Sequence, residues 1–204
     1  MKQLTFITGN SGKLAEVQAF LPFVQCKQID LPEIQSVDTK EIVRAKLAAA
    51  VQMCDGPVIV DDTALFLECM AKRKEGPQNA EFILSSASRV SKGRAGLPGP
   101  LIKWFLKTVG NTGLADIACK LGKTKACAQT IIGYAQDKDT FHFFEGVTLG
   151  TVVKPQGTAG FGWDHIFVPD RFEQTFAKMG VEKKNKISPR AQAAQKLRDF
   201  LLRS

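Results

Sequence analysis

The first 67 residues constrain the fold most. Three short runs with strand character, "LTFIT" at 4–8, "VQCKQI" at 24–29 and "PVIV" at 57–60, are separated by two segments with helical spacing. In the first segment, "KLAEVQAFL", apolar residues recur at Leu14, Val17, Phe20 and Leu21. This predicts a helix ending near Pro22, because proline is out of place in a helix interior. The second segment follows Asp38, which with Glu41 reads as an Asp form of the capping box. Its stripe of Ile42, Ala45, Ala49 and Met53 predicts a buried face. Lys46 stands at the edge of that stripe, placed either to snorkel past the core or to reach into a cleft. "PVIV" reads as a fully buried strand that halts at Asp61-Asp62-Thr63. Strand, helix, strand, helix, strand predicts an α/β fold with some parallel pairing.

Residues 68–95 break this rhythm with Lys, Arg, Ser and small residues, and read as an excursion from the core. "GLPGP" follows as a rigid turn, and "LIKWFLKTV" predicts a helix burying Leu101, Trp104, Phe105 and Val109. "KACAQTIIGYAQ" predicts a strand, "TFHFFEGVTLGTVV" a pair of strands around Glu145-Gly146, and "HIFVP" another strand after a glycine-rich loop. The closing helix is capped by Ser188, has Pro189 as its first residue and buries Ala194, Leu197 and Leu201. At 204 residues and 44% hydrophobic content the chain can bury one proper core. No run approaches the roughly 18 apolar residues of a membrane span, and the chain enters "LTFIT" with no leader, so a soluble cytoplasmic protein is expected.

Five scattered cysteines without a C-x-x-C pair predict buried free thiols in a reducing compartment, not a zinc site or a disulfide framework. Two histidines leave any hydrolytic chemistry to carboxylates, lysines and a bound cation. A net charge of +8 suits a nucleotide or a nucleic acid, and equally a solvated basic face.

Five motifs carry chemistry. In "TGNSGK" only Asn10 and Ser11 separate Gly9 from Gly12, and Leu14 follows Lys13. That is too short for a Walker-type loop and lacks its Ser or Thr. A helix start with glycine and lysine still collects the positive charge a phosphate needs, with Thr8 and Asn10 as hydrogen-bond donors. In "VIVDDT" two carboxylates stand at the carboxyl end of a strand, where open α/β sheets place ligands and where Mg²⁺ finds hard oxygen donors. The alternative is that Asp62 caps a helix and Asp61 pairs with a lysine. Glu33 in "DLPE" is a further candidate ligand or a loop glutamate. In "GFGWD", Phe161 and Trp163 offer a base-stacking platform or pack into the core. The lysines of "EKKNKISPR" precede a helix N-terminus, a further anion site.

Taken together, "TGNSGK", "DLPE", "VDDT", "GLPGPLIKWFL", "GFGWD" and "KKNKISPRAQAAQKL" resemble the inosine triphosphate pyrophosphatase family over nearly the whole chain apart from 68–95. The resemblance implies an elongated α/β fold, with a mixed central sheet flanked by helices and two lobes around a cleft. Residues 1–204 would form one two-lobed domain with an insertion at 68–95, usually as a homodimer. It further implies Mg²⁺-dependent hydrolysis of the purine nucleotides ITP, dITP and XTP to monophosphate and pyrophosphate.

Position by position, the resemblance assigns Thr8, Gly9, Asn10, Ser11, Gly12 and Lys13 to the triphosphate, with Lys13 also catalytic. Glu33 and Asp62 fall to the metal, Asp62 also to activation of the attacking water, with Thr63 beside it. Lys46 and Lys103 contact phosphate, Phe161, Gly162, Trp163 and Asp164 hold the base, and Lys184 and Arg190 close over the nucleotide. Two departures stand out: Ser188-Pro189-Arg190 where the family has Ser-His-Arg, and His165 where it tends to have proline. A non-catalytic nucleotide- or nucleic-acid-binding protein is the alternative, and Glu33, Asp62 and Lys13 count against it. No membrane partner is implied.

Overall fold

The computed structural model describes residues 3–71 and 96–203. Strand β1 (Thr5–Ile7) leads into helix α1 (Ser11–Gln18), followed by β2 (Gln25–Lys27), α2 (Thr39–Met53) and β3 (Val58–Leu67). A short 3-10 turn at Glu68–Met70 closes this part. Then come β4 (Pro98–Gly99), α3 (Ile102–Lys120), β5 (Lys125–Ala135), β6 (Phe141–Val152), β7 (Phe167–Pro169), α4 (Phe176–Ile187) and α5 (Pro189–Leu201). Among the described residues the strands form one seven-stranded sheet of order β2-β1-β3-β5-β6-β7, with β4 on β3. β1 pairs parallel with β2 and β3, whereas β4 and β7 pair antiparallel with β3 and β6. The expected mixed α/β sheet is therefore present. Among the described residues no helix is long and apolar enough to cross a membrane.

The chain packs as two compact units. The first comprises Met1–Thr63, Gln129–Gly146 and Asn185–Ser204. Its sheet is apolar on both faces, because alternate strand residues point opposite ways. Phe6, Ile59 and Ile132 face Val17 and Leu21 of the α1 region and Ala193, Ala194 and Leu197 of α5. Ile7, Val58, Val60 and Ile131 face Val43, Leu47, Ala50 and Val51 of α2. The second unit comprises Ala64–Ala128 and Val147–Lys184. Phe66 and Cys127 are buried there with Val147 and Leu149 against them, and Trp163, Phe167 and Phe176 form an aromatic cluster with centroids 5.3–6.1 Å apart.

Several local expectations need correction. β3 does not halt at the aspartates but runs on through Leu67. The "TFHFFEGVTLGTVV" segment is the single strand β6. α2 buries Val43, Leu47, Ala50 and Val51 beside Ile42 and leaves Met53 exposed, so its buried face is rotated from the expected stripe. The Asp38 cap accepts from the Lys40 N–H, whereas Glu41 accepts from the Ser36 hydroxyl, which itself accepts from the Asp38 N–H. The box is thus closed through a relay. α3 continues past Val109 across a kink at Gly110 (φ 65°), and both Trp104 and Val109 are exposed. α4 was not anticipated; its lysines lie on a helix of their own, kinked at Gly180. Of the five free cysteines only Cys127 is fully buried, and Cys26 and Cys119 are exposed. The excursion at 68–95 lies outside the described residues beyond Ala71.

Candidate active site

In the first unit, the turn between β1 and α1 is built from local hydrogen bonds. The Thr8 hydroxyl accepts from the Asn10 N–H (3.1 Å), and the Asn10 side chain caps α1 by accepting from the Lys13 N–H (3.0 Å). No acidic residue occupies the first turn of this eight-residue helix, so nothing there offsets its positive end. A Cβ at Gly9 would meet nothing within 4 Å, which leaves the backbone of the turn open to a ligand.

The strand continuing through "VDDT" decides the rest. Neighbouring residues on a strand face opposite sides, so Asp61 and Asp62 serve different faces. Asp61 joins Thr63 on the α1/α5 side. It accepts from Lys13 Nζ at 2.9 Å and from Arg190 Nε at 3.0 Å, and Arg190 also donates to Glu16 (2.5 Å) and Thr63 Oγ1 (2.8 Å). The Thr63 hydroxyl in turn meets that of Thr130 at 3.1 Å. Burial alone would raise the Asp61 carboxyl, but Lys13 and Arg190 outweigh it and hold the group down at about 2.

Asp62 faces α2. Its Oδ1 lies 2.8 Å from Lys46 Nζ, and Glu33 Oε1 lies 3.0 Å from the same nitrogen. Lys46 therefore neither snorkels to water nor stands free: it is buried between two carboxylates. Burial pushes its ammonium down, but Asp62 and then Glu33 overcome that and raise it. Burial also raises the Asp62 carboxyl, against the pull of Lys46 and Lys13. Lys46 has two carboxylates beside it, whereas Asp62 is deeply buried, shares the Lys46 ammonium with Glu33 and has the like charge of Asp61 next to it.

The expected metal ligands thus converge as Glu33 with Asp62, and Asp61 belongs to a separate ion-pair network. Among the described residues no three His, Cys, Asp or Glu side chains gather as a metal group. The donor set nevertheless fits Mg²⁺, which takes one or two carboxylates and completes its shell from water and substrate oxygens. The Lys46 ammonium already lies between the two carboxylates.

The remaining candidates lie in the second unit. Asp164 Oδ2 accepts from the Phe161 N–H (2.9 Å) and from Lys184 Nζ (2.6 Å), and that ammonium lies 4.5 Å from the Phe161 ring centroid. Trp163 is core, packed on Phe167 and Phe176. Phe161 is half-buried, and Gly162 is exposed at φ 61°. Lys103 is exposed on α3, 5.9 Å from the Trp104 ring. Two residues were not foreseen. Glu16 joins Asp61 in anchoring Arg190, and Asn111 of α3 donates to the Gly162 carbonyl at 2.9 Å. Glu16 lies three residues after Lys13 on the same helix side, a spacing that could have revealed it.

A strand-to-helix turn suited to an anion, beside carboxylates gathered on a cation, defines an α/β protein fitted for a phosphorylated ligand. The comparisons with known proteins make this specific. The Ham1 family profile matches residues 4–92 and 92–200. The chain is 38% identical over 205 residues to the inosine triphosphate pyrophosphatase of Schizosaccharomyces pombe, covering 98% of this chain and 96% of that one. It is also 38% identical over 196 residues to inosine triphosphate pyrophosphatase 2 of Trypanosoma cruzi, at 94% and 88% coverage. A HAM1 protein of Coxiella burnetii shares the fold, with a TM-score of 0.74 at 23% identity and full coverage of both chains. The chain belongs to the Ham1 family.

Proposed function

We propose that this protein is an Mg²⁺-dependent nucleoside triphosphate pyrophosphohydrolase that converts ITP, dITP and XTP to the monophosphate and pyrophosphate, acting as a cytoplasmic homodimer. The relatives named inosine triphosphate pyrophosphatase support the reaction class. The observation that carries the metal reading is the meeting of Glu33 and Asp62 on one ammonium. Bound by Glu33 and Asp62, Mg²⁺ would neutralise charge on the phosphate oxygens.

This chain's residues do the rest. The Gly9–Lys13 turn receives phosphate oxygens through the α1 N-terminus and the Lys13 ammonium. The Asp62 carboxylate takes a proton from water as the water oxygen attacks the α-phosphorus. The bond from that phosphorus to the bridging oxygen breaks, and pyrophosphate departs. Lysine charge stabilises the leaving group. In the second unit, the Phe161 ring and the Asp164–Lys184 pair supply stacking and polar contacts suited to a purine base. A 6-oxo purine is selected where buried polar groups would stay unpaired against adenine.

The test is pyrophosphate release from ITP, XTP, GTP and ATP with Mg²⁺. Turnover of ITP and XTP well above ATP is expected, with a loss of about a thousandfold or more in Asp62→Asn. Equal turnover of all four nucleotides, or an active Asp62→Asn, would overturn the proposal.

A further inference from the structure

The Lys46 side chain holds a position that a metal reading leaves unexplained. Its Nζ stands 3.0 Å from Glu33 Oε1 and 2.8 Å from Asp62 Oδ1, and the side chain is only 9% exposed. The ammonium is therefore desolvated at the point where both proposed metal ligands converge. We propose that Lys46 is an internal stand-in for the divalent cation: it holds Glu33 and Asp62 together in the metal-free protein and must leave that point when metal enters. The inference rests on the metal reading above.

Two carboxylates this close repel unless a cation lies between them. One ammonium against two carboxylates leaves a net negative charge, so the pair still attracts a doubly charged ion. Mg²⁺ needs its oxygens at about 2.0–2.1 Å, a geometry closed to an ammonium held by the same oxygens. Exchange is feasible on both sides. Glu33 is 50% exposed and lies outside any regular element, which gives the ion an approach. Lys46 stands on a flexible four-carbon stem, so its head can swing while α2 stays packed. Metal affinity of the nucleotide-free protein is then set by the exchange, and each metal bound frees one positive charge for phosphate.

Mn²⁺ alone, without nucleotide, tests this in the full-length protein by electron paramagnetic resonance of the free ion. Lys46→Met is expected to bind Mn²⁺ about tenfold or more tightly than the unaltered protein, because a competing charge is gone. Adding Glu33→Gln to Lys46→Met should cancel the gain. In the unaltered protein, imidoester labelling of Lys46, read by peptide mass, should rise with Mn²⁺ at the midpoint of metal binding. That arm decides the matter should Lys46→Met fail to fold. Equal or weaker Mn²⁺ binding by a folded Lys46→Met, or labelling that does not rise at saturating Mn²⁺, overturns the stand-in role and leaves the metal centre intact. Absence of Mn²⁺ binding by both proteins overturns the metal centre together with it.

Discussion

At the scale of single residues, the two adjacent aspartates have opposite environments. Asp61 is fully buried yet held at about 2 by Lys13 and Arg190. Its folded carboxyl is depressed below the ordinary 3.8, so the stability it contributes is complete above that value and is lost as pH falls towards 2. The loss is on the order of 2 kcal/mol. Urea unfolding of the wild type and Asp61→Asn should therefore show a stability gap at about pH 5 that narrows by that amount as pH falls to about 2. A gap that stays constant with pH would show that the ion pairs do not act as assigned. Asp62 is shifted the opposite way, raised by burial that Lys46 and Lys13 do not fully offset.

At the scale of elements, two close approaches carry the most consequence. A Cβ at Gly146 of β6 would fall 1.8 Å from the Pro189 carbonyl oxygen, at the first residue of α5. Gly146→Ala must push α5 away and draw Arg190 from Asp61. A loss of about 3 kcal/mol, read by thermal unfolding, is expected. The second approach is between the ends of the excursion. A Cβ at Gly96 would lie 2.7 Å from the Ala71 Cα, and the Leu97 N–H donates to the Met70 carbonyl at 3.2 Å. Consecutive Cα atoms stand about 3.8 Å apart, so a single peptide bond can join Ala71 to Gly96. Deletion of residues 72–95 is accordingly expected to leave the melting temperature unchanged or improved, since a shorter connection costs less entropy to close. A deletion variant that fails to fold would show that the segment contributes to the core.

At the scale of the whole molecule, Leu97, Trp104 and Val109 are large apolar residues exposed in the second unit. Trp104 is half-exposed, with Lys107 5.2 Å from its ring centroid. We propose this exposed apolar surface as the contact of the homodimer. Sedimentation equilibrium should give about twice the 22.3 kDa chain mass, and Trp104→Glu should return it towards the monomer. A wild-type protein that sediments as a monomer would remove the dimer.

The amino-acid sequence alone determined what depends on near neighbours: the strand–turn–helix of the first turn, the Ser188-Pro189 helix start, the β5 strand and the family motifs. Capping and periodicity act over a few residues and can be read directly. Only the tertiary structure decided which face each aspartate serves, because that depended on β3 continuing beyond the point where its apolar run is interrupted. It also decided that Lys46 closes on Glu33 and Asp62, and that Arg190 reaches Glu16 across 174 positions. These contacts follow from how helices are laid on the two faces of the sheet, a long-range outcome that no local pattern encodes.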